Sequence, residues 1–184
     1  MGFGGITEEG CSKCIDERIW WDTVYRLDTY ADTMAEWIVQ YKFGKLWRWG
    51  EYFGDELAKI LKPEENSLVI PIPLHWTRRL WRGFAQAALL AQQIANHHQL
   101  HYTPLLRRIK RTKPQTAMGS ATKRLNNVKN AFTCKDVNLE GKTVYLVDDV
   151  KTTGATATQC AKLLKKHGAE AVHLMVVAVA DYSG

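Results

Sequence analysis

Val144-Tyr-Leu-Val-Asp-Asp-Val-Lys-Thr-Thr-Gly-Ala-Thr156 is the stretch on which the fold of this chain turns. Four apolar residues, Val144 to Val147, have the composition of a strand buried on both faces of a parallel sheet. The helical pattern after Thr156 supplies the crossover that parallel strands require. Between strand and helix come two acids and a turn rich in threonine. Thr152, Thr153, Gly154 and Thr156 offer hydroxyls and closely spaced backbone N–H groups at a helix start, where unpaired amides and the helix dipole favour an anion. Gly154 lets the backbone approach a phosphate closely. Asp148 and Asp149 repel a phosphate, yet they accept hydrogen bonds from vicinal sugar hydroxyls or ligate Mg²⁺. A phosphorylated ribose satisfies both halves. The blander reading, an acidic turn that merely caps a helix, leaves the threonine-rich run unexplained.

Downstream, a strand at 142–148, a helix at 156–167 with Gly168 as its cap, and a strand at 171–180 make a βαβ unit. Upstream, a short apolar strand at 67–73 ends in Pro71 and Pro73 and leads through His75, Arg78, Arg79 and Arg82 into a helix at 84–97. Ligands of a parallel α/β sheet gather at the strand carboxyl ends, so this loop is expected to face the same crevice as Asp148. His75 and the three arginines then suit a diphosphate, with guanidinium forks for bidentate contact; the alternative is a solvated basic face. Between the two units lies a basic, Pro-interrupted segment containing Arg108, Lys110, Arg111, Lys113, Gln115 and Arg124. It is either a lid over a polyanionic substrate or a patch that meets nucleic-acid phosphates. A short strand follows Phe132.

The chain has 184 residues, enough for one sizeable core, and an ordinary soluble composition. Its net charge of +6 and pI near 9.1 favour acidic partners without choosing among them. No apolar stretch approaches the roughly 20 residues of a membrane span, and no signal peptide is apparent, so a cytoplasmic location is expected. Residues 16–61 are rich in Trp, Tyr and Phe, with helices at 31–41 and 51–61 around a Tyr41-Lys-Phe-Gly44 bend. Helix-spaced aromatics face inward as a rule; a base-stacking platform is the alternative. Of four cysteines, Cys11 and Cys14 have the spacing of half a zinc ribbon, and Cys160 reads as a small core residue.

The 144–156 run resembles the 5-phosphoribosyl 1-diphosphate (PRPP) loop of type I phosphoribosyltransferases. The resemblance implies that Asp148 and Asp149 contact the ribose 2′ and 3′ hydroxyls. It also implies that Val150, Lys151, Thr152, Thr153, Gly154, Ala155 and Thr156 form the loop around the 5′-phosphate. Thr152 stands where purine-salvage members carry an acid, which disfavours a 6-oxopurine acceptor.

Three further blocks extend the likeness: Val69-Ile-Pro-Ile-Pro-Leu-His75 with Arg78, Arg79, Arg82, Gly83, Phe84 and Gln86; Arg108, Lys110, Thr112 and Gln115 with Arg124, Asn127, Val128, Ala131 and Phe132; and Tyr41-Lys-Phe-Gly44. Together with the Asp-Asp loop they are similar to the ComF (ComFC, GntX-like) family. The resemblance implies an α/β type I phosphoribosyltransferase fold, a mainly parallel twisted sheet flanked by helices. A flexible loop or hood and a small N-terminal appendage complete it, with residues 1–40 separate from a phosphoribosyltransferase-like region at 41–184. It implies PRPP and Mg²⁺ at Asp148 and Asp149, and a role in DNA uptake with single-stranded DNA and competence proteins as partners. Members usually carry a four-cysteine zinc finger; this chain keeps only Cys11 and Cys14, so zinc is left open. The acceptor is open too. The readings that remain are a transferase, a PRPP-sensing or single-stranded-DNA-binding component without turnover, and a scaffold with a vestigial site.

Overall fold

The computed structural model describes residues 19–43, 47–74, 84–110, 128 and 130–180. In chain order these form β1 (Thr23–Thr29), α1 (Asp32–Phe43), α2 (Arg48–Ile60), β2 (Ser67–Pro71), α3 (Gln86–His98), β3 (His101–Tyr102), β4 (Leu106–Arg108), β5 (Phe132–Cys134), β6 (Thr143–Lys151), α4 (Ala155–Lys166) and β7 (Ala171–Val179). Five strands make a parallel sheet in the order β1-β7-β6-β2-β3, and β4 pairs with β5 in a separate antiparallel ribbon.

The apolar runs of β6 and β7 place them at the centre, because side chains alternate across a strand and both faces of this sheet are covered. Val144, Leu146, Val172, Leu174 and Val176 join Cys160, Ala161 and Leu164 of α4, and Leu106 and Phe132 of the ribbon, in one core. Tyr145, Val147, Met175 and Val177 join Ile38 and Tyr41 of α1, Phe53 and Leu57 of α2, and Leu90 and Ile94 of α3 in the other. The expected α/β architecture, a parallel sheet with helices on both faces, is the one observed. Helices α2 and α3 meet at Gly54, where an added Cβ would lie 2.5 Å from the Cβ of Gln93.

Two features depart from the sequence reading. The pattern of Thr23–Thr29 announces no strand, yet the segment pairs in parallel with β7 along its length, from Thr23 opposite His173 to Thr29 opposite Val179. Residues 23–40, expected in an N-terminal appendage, therefore supply a strand of the main sheet and part of its core through Leu27, Met34 and Ile38. The β4–β5 ribbon is the other departure, although a strand after Phe132 is expected. The aromatics divide: Tyr41 and Phe53 are fully buried, and Trp37 stacks on Trp49 at 5.2 Å, whereas Phe43, Trp47 and Tyr52 are about half exposed.

Candidate sugar-phosphate site

The carboxyl end of β6 leads directly into α4, and the turn between them is the expected one. Gly154 is the residue before the helix and has φ 76, the left-handed region that a side chain disfavours. An added Cβ there would stand 2.6 Å from the indole of Trp21, which packs beneath the turn. The first turn of α4 carries no acid, so the positive end of the helix meets no carboxylate of its own. The backbone N–H of Ala155 donates to Thr153 Oγ1 at 3.4 Å, and that of Thr158 donates to the Gly154 carbonyl at 2.8 Å.

Asp148, Val150, Lys151, Thr152, Gly154, Thr156 and Ala157, with Leu174 and Val176 of β7, line an open cavity of ≈ 280 Å³. The sequence-nominated loop and the first acid thus border one space. Asp148 Oδ1 accepts the backbone N–H of Asp149 at 2.9 Å, and Asp149 Oδ1 accepts that of Val150 at 2.7 Å. Burial pushes the Asp148 carboxyl up to about 7, and the Asp149 charge adds to the rise. The N–H of Asp149 and the charges of Lys42 and Arg108 oppose it.

Arg108, expected in a lid or nucleic-acid patch, belongs to β4, with its guanidinium 5.2 Å from the centroid of the Phe132 ring and its charge felt at Asp148. Lys110 is exposed just beyond it. His75, Arg78, Arg79, Arg82, Arg111, Lys113, Gln115, Arg124, Cys11 and Cys14 lie outside the described residues. Cys160 is fully buried, as expected of a core residue, and burial holds its thiol well above the usual range.

Lys42 stands outside the residues that the sequence nominates. Its ammonium lies 3.2 Å from Asp149 Oδ2, and the adjacent Tyr41 hydroxyl donates to the Gln86 carbonyl at the start of α3 at 2.8 Å. The signal is present as Tyr41-Lys-Phe-Gly44, whose punctuation suggests a bend between helices and not a source of charge.

Residues 82–182 match the model of the phosphoribosyl transferase domain. The chain is also 31% identical over 179 residues to Competence protein F of Haemophilus influenzae, covering 89% of this chain and 76% of that protein. The chain belongs to the ComF family. Other ComF-family relatives are the DNA utilization protein YhgH of Escherichia coli, 30% identical over 89% of this chain and 75% of that protein, and Competence protein ComFC of Bacillus subtilis, 31% identical over 76% of this chain and 57% of that protein. In this ComF-family chain the matched span includes β6, its turn and α4, and begins at Arg82.

The donor set fits Mg²⁺ of the kind held jointly with a substrate. Asp148, which borders the cavity, would supply the protein's carboxylate, with phosphate oxygens and water filling the remaining positions, while Asp149 is held by the Lys42 ammonium. Among the described residues no group of three or more His, Cys, Asp or Glu side chains converges into a self-sufficient metal cage. No helix among them is long and apolar enough to cross a membrane.

Proposed function

We propose that this ComF-family protein binds Mg²⁺–PRPP in the cavity at the carboxyl end of β6 and transfers its phosphoribosyl group to an acceptor. The observation that carries the reading is the convergence on one cavity of Asp148, the threonine-bearing turn and Gly154 in its positive-φ conformation. The turn receives the 5′-phosphate on backbone N–H groups at the positive end of α4. Asp148 accepts a ribose hydroxyl, and Asp149 supports it from the next position in β6. In the transfer the bond from the anomeric carbon to the diphosphate oxygen breaks, a bond from the acceptor to that carbon forms, and the acceptor releases a proton. Bound Mg²⁺ would offset charge on the departing diphosphate. The protein contributes position and electrostatics: the two carboxylates favour the positive charge that grows on the ribose ring. His75, Arg78, Arg79 and Arg82 are the candidates for diphosphate contact.

The names of the relatives, a competence protein and a DNA utilization protein, support a place for this activity in the uptake and use of DNA. Calorimetric titration of Mg²⁺–PRPP into the protein and into the Asp148→Ala/Asp149→Ala variant tests the reading. Saturable heat that the variant loses is expected; absence of heat from the wild type removes the ligand assignment.

A second reading, a PRPP-sensing or single-stranded-DNA-binding component without turnover, draws support from Arg107, Ile109 and Lys110, all exposed on and just after β4. Release of diphosphate on addition of an acceptor separates the transferase from the sensor.

A further inference from the structure

Asp148 and Asp149 are neighbours in sequence with different surroundings. Successive residues of a strand face opposite sides, and β6 shows it: Leu146 belongs to the core under α4, Val147 to the core under α1, α2 and α3. Asp148 continues the first series and borders the cavity. Asp149 continues the second, and both of its oxygens are engaged, Oδ1 by the Val150 N–H at 2.7 Å and Oδ2 by the Lys42 ammonium at 3.2 Å.

Lys42 is itself held in place. Tyr41, fully buried, donates its hydroxyl to the Gln86 carbonyl at 2.8 Å, and Gln86 Nε2 donates back to the Lys42 carbonyl at 3.4 Å. The last turn of α1 is therefore fastened to the first turn of α3, and the ammonium reaches the end of β6 from a fixed base. The side chains of Lys42 and Asp149 are only 18% and 15% exposed, so their attraction is screened less than that of a surface pair.

We propose that Lys42 is a positioning residue of the sugar-phosphate site, dividing the acidic pair into an Asp148 that faces the ligand and an Asp149 that α1 holds in place. The proposal rests on the reading of the cavity as a PRPP site. Its physical content is that Lys42 fixes one rotamer of Asp149 and compensates a half-buried charge beside a polyanionic ligand. Without the ammonium, that carboxylate is free to turn toward the diphosphate, which it repels. Removing both members of such a pair is less harmful than stranding one, because no uncompensated charge is left.

A double-mutant cycle on Mg²⁺–PRPP affinity, read by calorimetry with Lys42→Met, Asp149→Asn and the two combined, tests it. Each single change is expected to weaken binding about tenfold, the usual scale for groups that orient a site. The combined change is expected to cost no more than either, because the two residues act as one unit. Lys42→Arg, which keeps the cation, should bind close to the wild type. Losses that multiply in the double variant to about a hundredfold, or failure of Lys42→Arg to rescue, would overturn the assignment. The amide resonance of Val150 gives a readout that needs no ligand, since that N–H donates to Asp149 Oδ1. It should shift in Lys42→Met and return in Lys42→Arg; a resonance that stays put in Lys42→Met refutes the grip on Asp149. If the wild type does not bind Mg²⁺–PRPP, the ligand reading falls, and the Val150 amide alone decides the Lys42 assignment.

Discussion

The indole of Trp21 occupies the space into which a side chain on Gly154 would project, 2.6 Å from the position of its Cβ. The residue that starts the phosphate turn is thus constrained twice, by its φ of 76 and by a buried tryptophan from the segment before β1. Gly154→Ala is expected to lower stability by about 1–3 kcal/mol, the range for strained backbone and overpacking. Binding of Mg²⁺–PRPP should be lost with it, because the turn must move to make room. Chemical denaturation and calorimetry on the same preparation check both. In a Trp21→Ala background, itself destabilised by the loss of a buried side chain, Gly154→Ala should cost less than it does in the wild type but more than nothing, since relief of the clash leaves the backbone strain in place.

The raised carboxyl of Asp148 makes the ligand-free protein sensitive to pH. In the unfolded chain an aspartate titrates near pH 3.9; in the fold burial and the Asp149 charge push Asp148 up to about 7. The folded state therefore holds this proton more tightly than the unfolded state. The stability associated with it is complete below about pH 4 and is lost as pH rises through about 7. Asp148→Asn, which keeps an acceptor for the Asp149 N–H, should gain stability relative to the wild type between about pH 5 and about pH 8, by an amount on the order of 2 kcal/mol. Urea denaturation at the two pH values measures it, and an unchanged difference would mean that the carboxyl titrates normally.

Close approach of α2 and α3 at Gly54 predicts a packing defect remote from the site. Gly54→Val would drive its side chain into Gln93, whose Cβ lies 2.5 Å from the position of an added Cβ. A loss of about 1–3 kcal/mol is expected, with Mg²⁺–PRPP affinity retained in the fraction that remains folded. Affinity that falls with stability would show that the helix pair transmits strain to β6.

The basic segment separates its two uses by salt. Neutralising Lys110, Arg111 and Lys113 should weaken binding of a single-stranded oligonucleotide and flatten its salt dependence by about 0.7 in slope for each phosphate that no longer meets a cation. Fluorescence anisotropy across a salt series reads this. Unchanged oligonucleotide binding together with weakened Mg²⁺–PRPP binding assigns the segment to the diphosphate instead.

What was legible in the sequence was what local pattern controls. The apolar runs of β6 and β7, the Thr-Thr-Gly turn and the helix that follows it announce themselves within a few residues, because burial on both faces and a positive-φ glycine leave unmistakable composition. Strand β1 reads Thr-Val-Tyr-Arg-Leu-Asp-Thr, half polar and without an apolar run, and becomes a strand because the edge of β7 offers it partners. The ribbon of β4 and β5 joins segments separated by more than twenty residues of chain, so no turn signal marks it. Lys42 lies more than a hundred residues from Asp149, and sequence spacing carries no record that the two charges meet.

Among the described strands β1 pairs with β7 alone, and this sets an order of events during synthesis. Strand β1 leaves the ribosome well before β7 and takes its place in the sheet only when β7 has emerged; at typical elongation rates the wait is on the order of ten seconds. Over that interval an edge strand bearing Val24, Tyr25 and Leu27 is without its hydrogen-bonding partner and open to pairing with another nascent chain. Yield on expression should therefore respond to substitutions in β1 that leave the finished protein's stability unchanged.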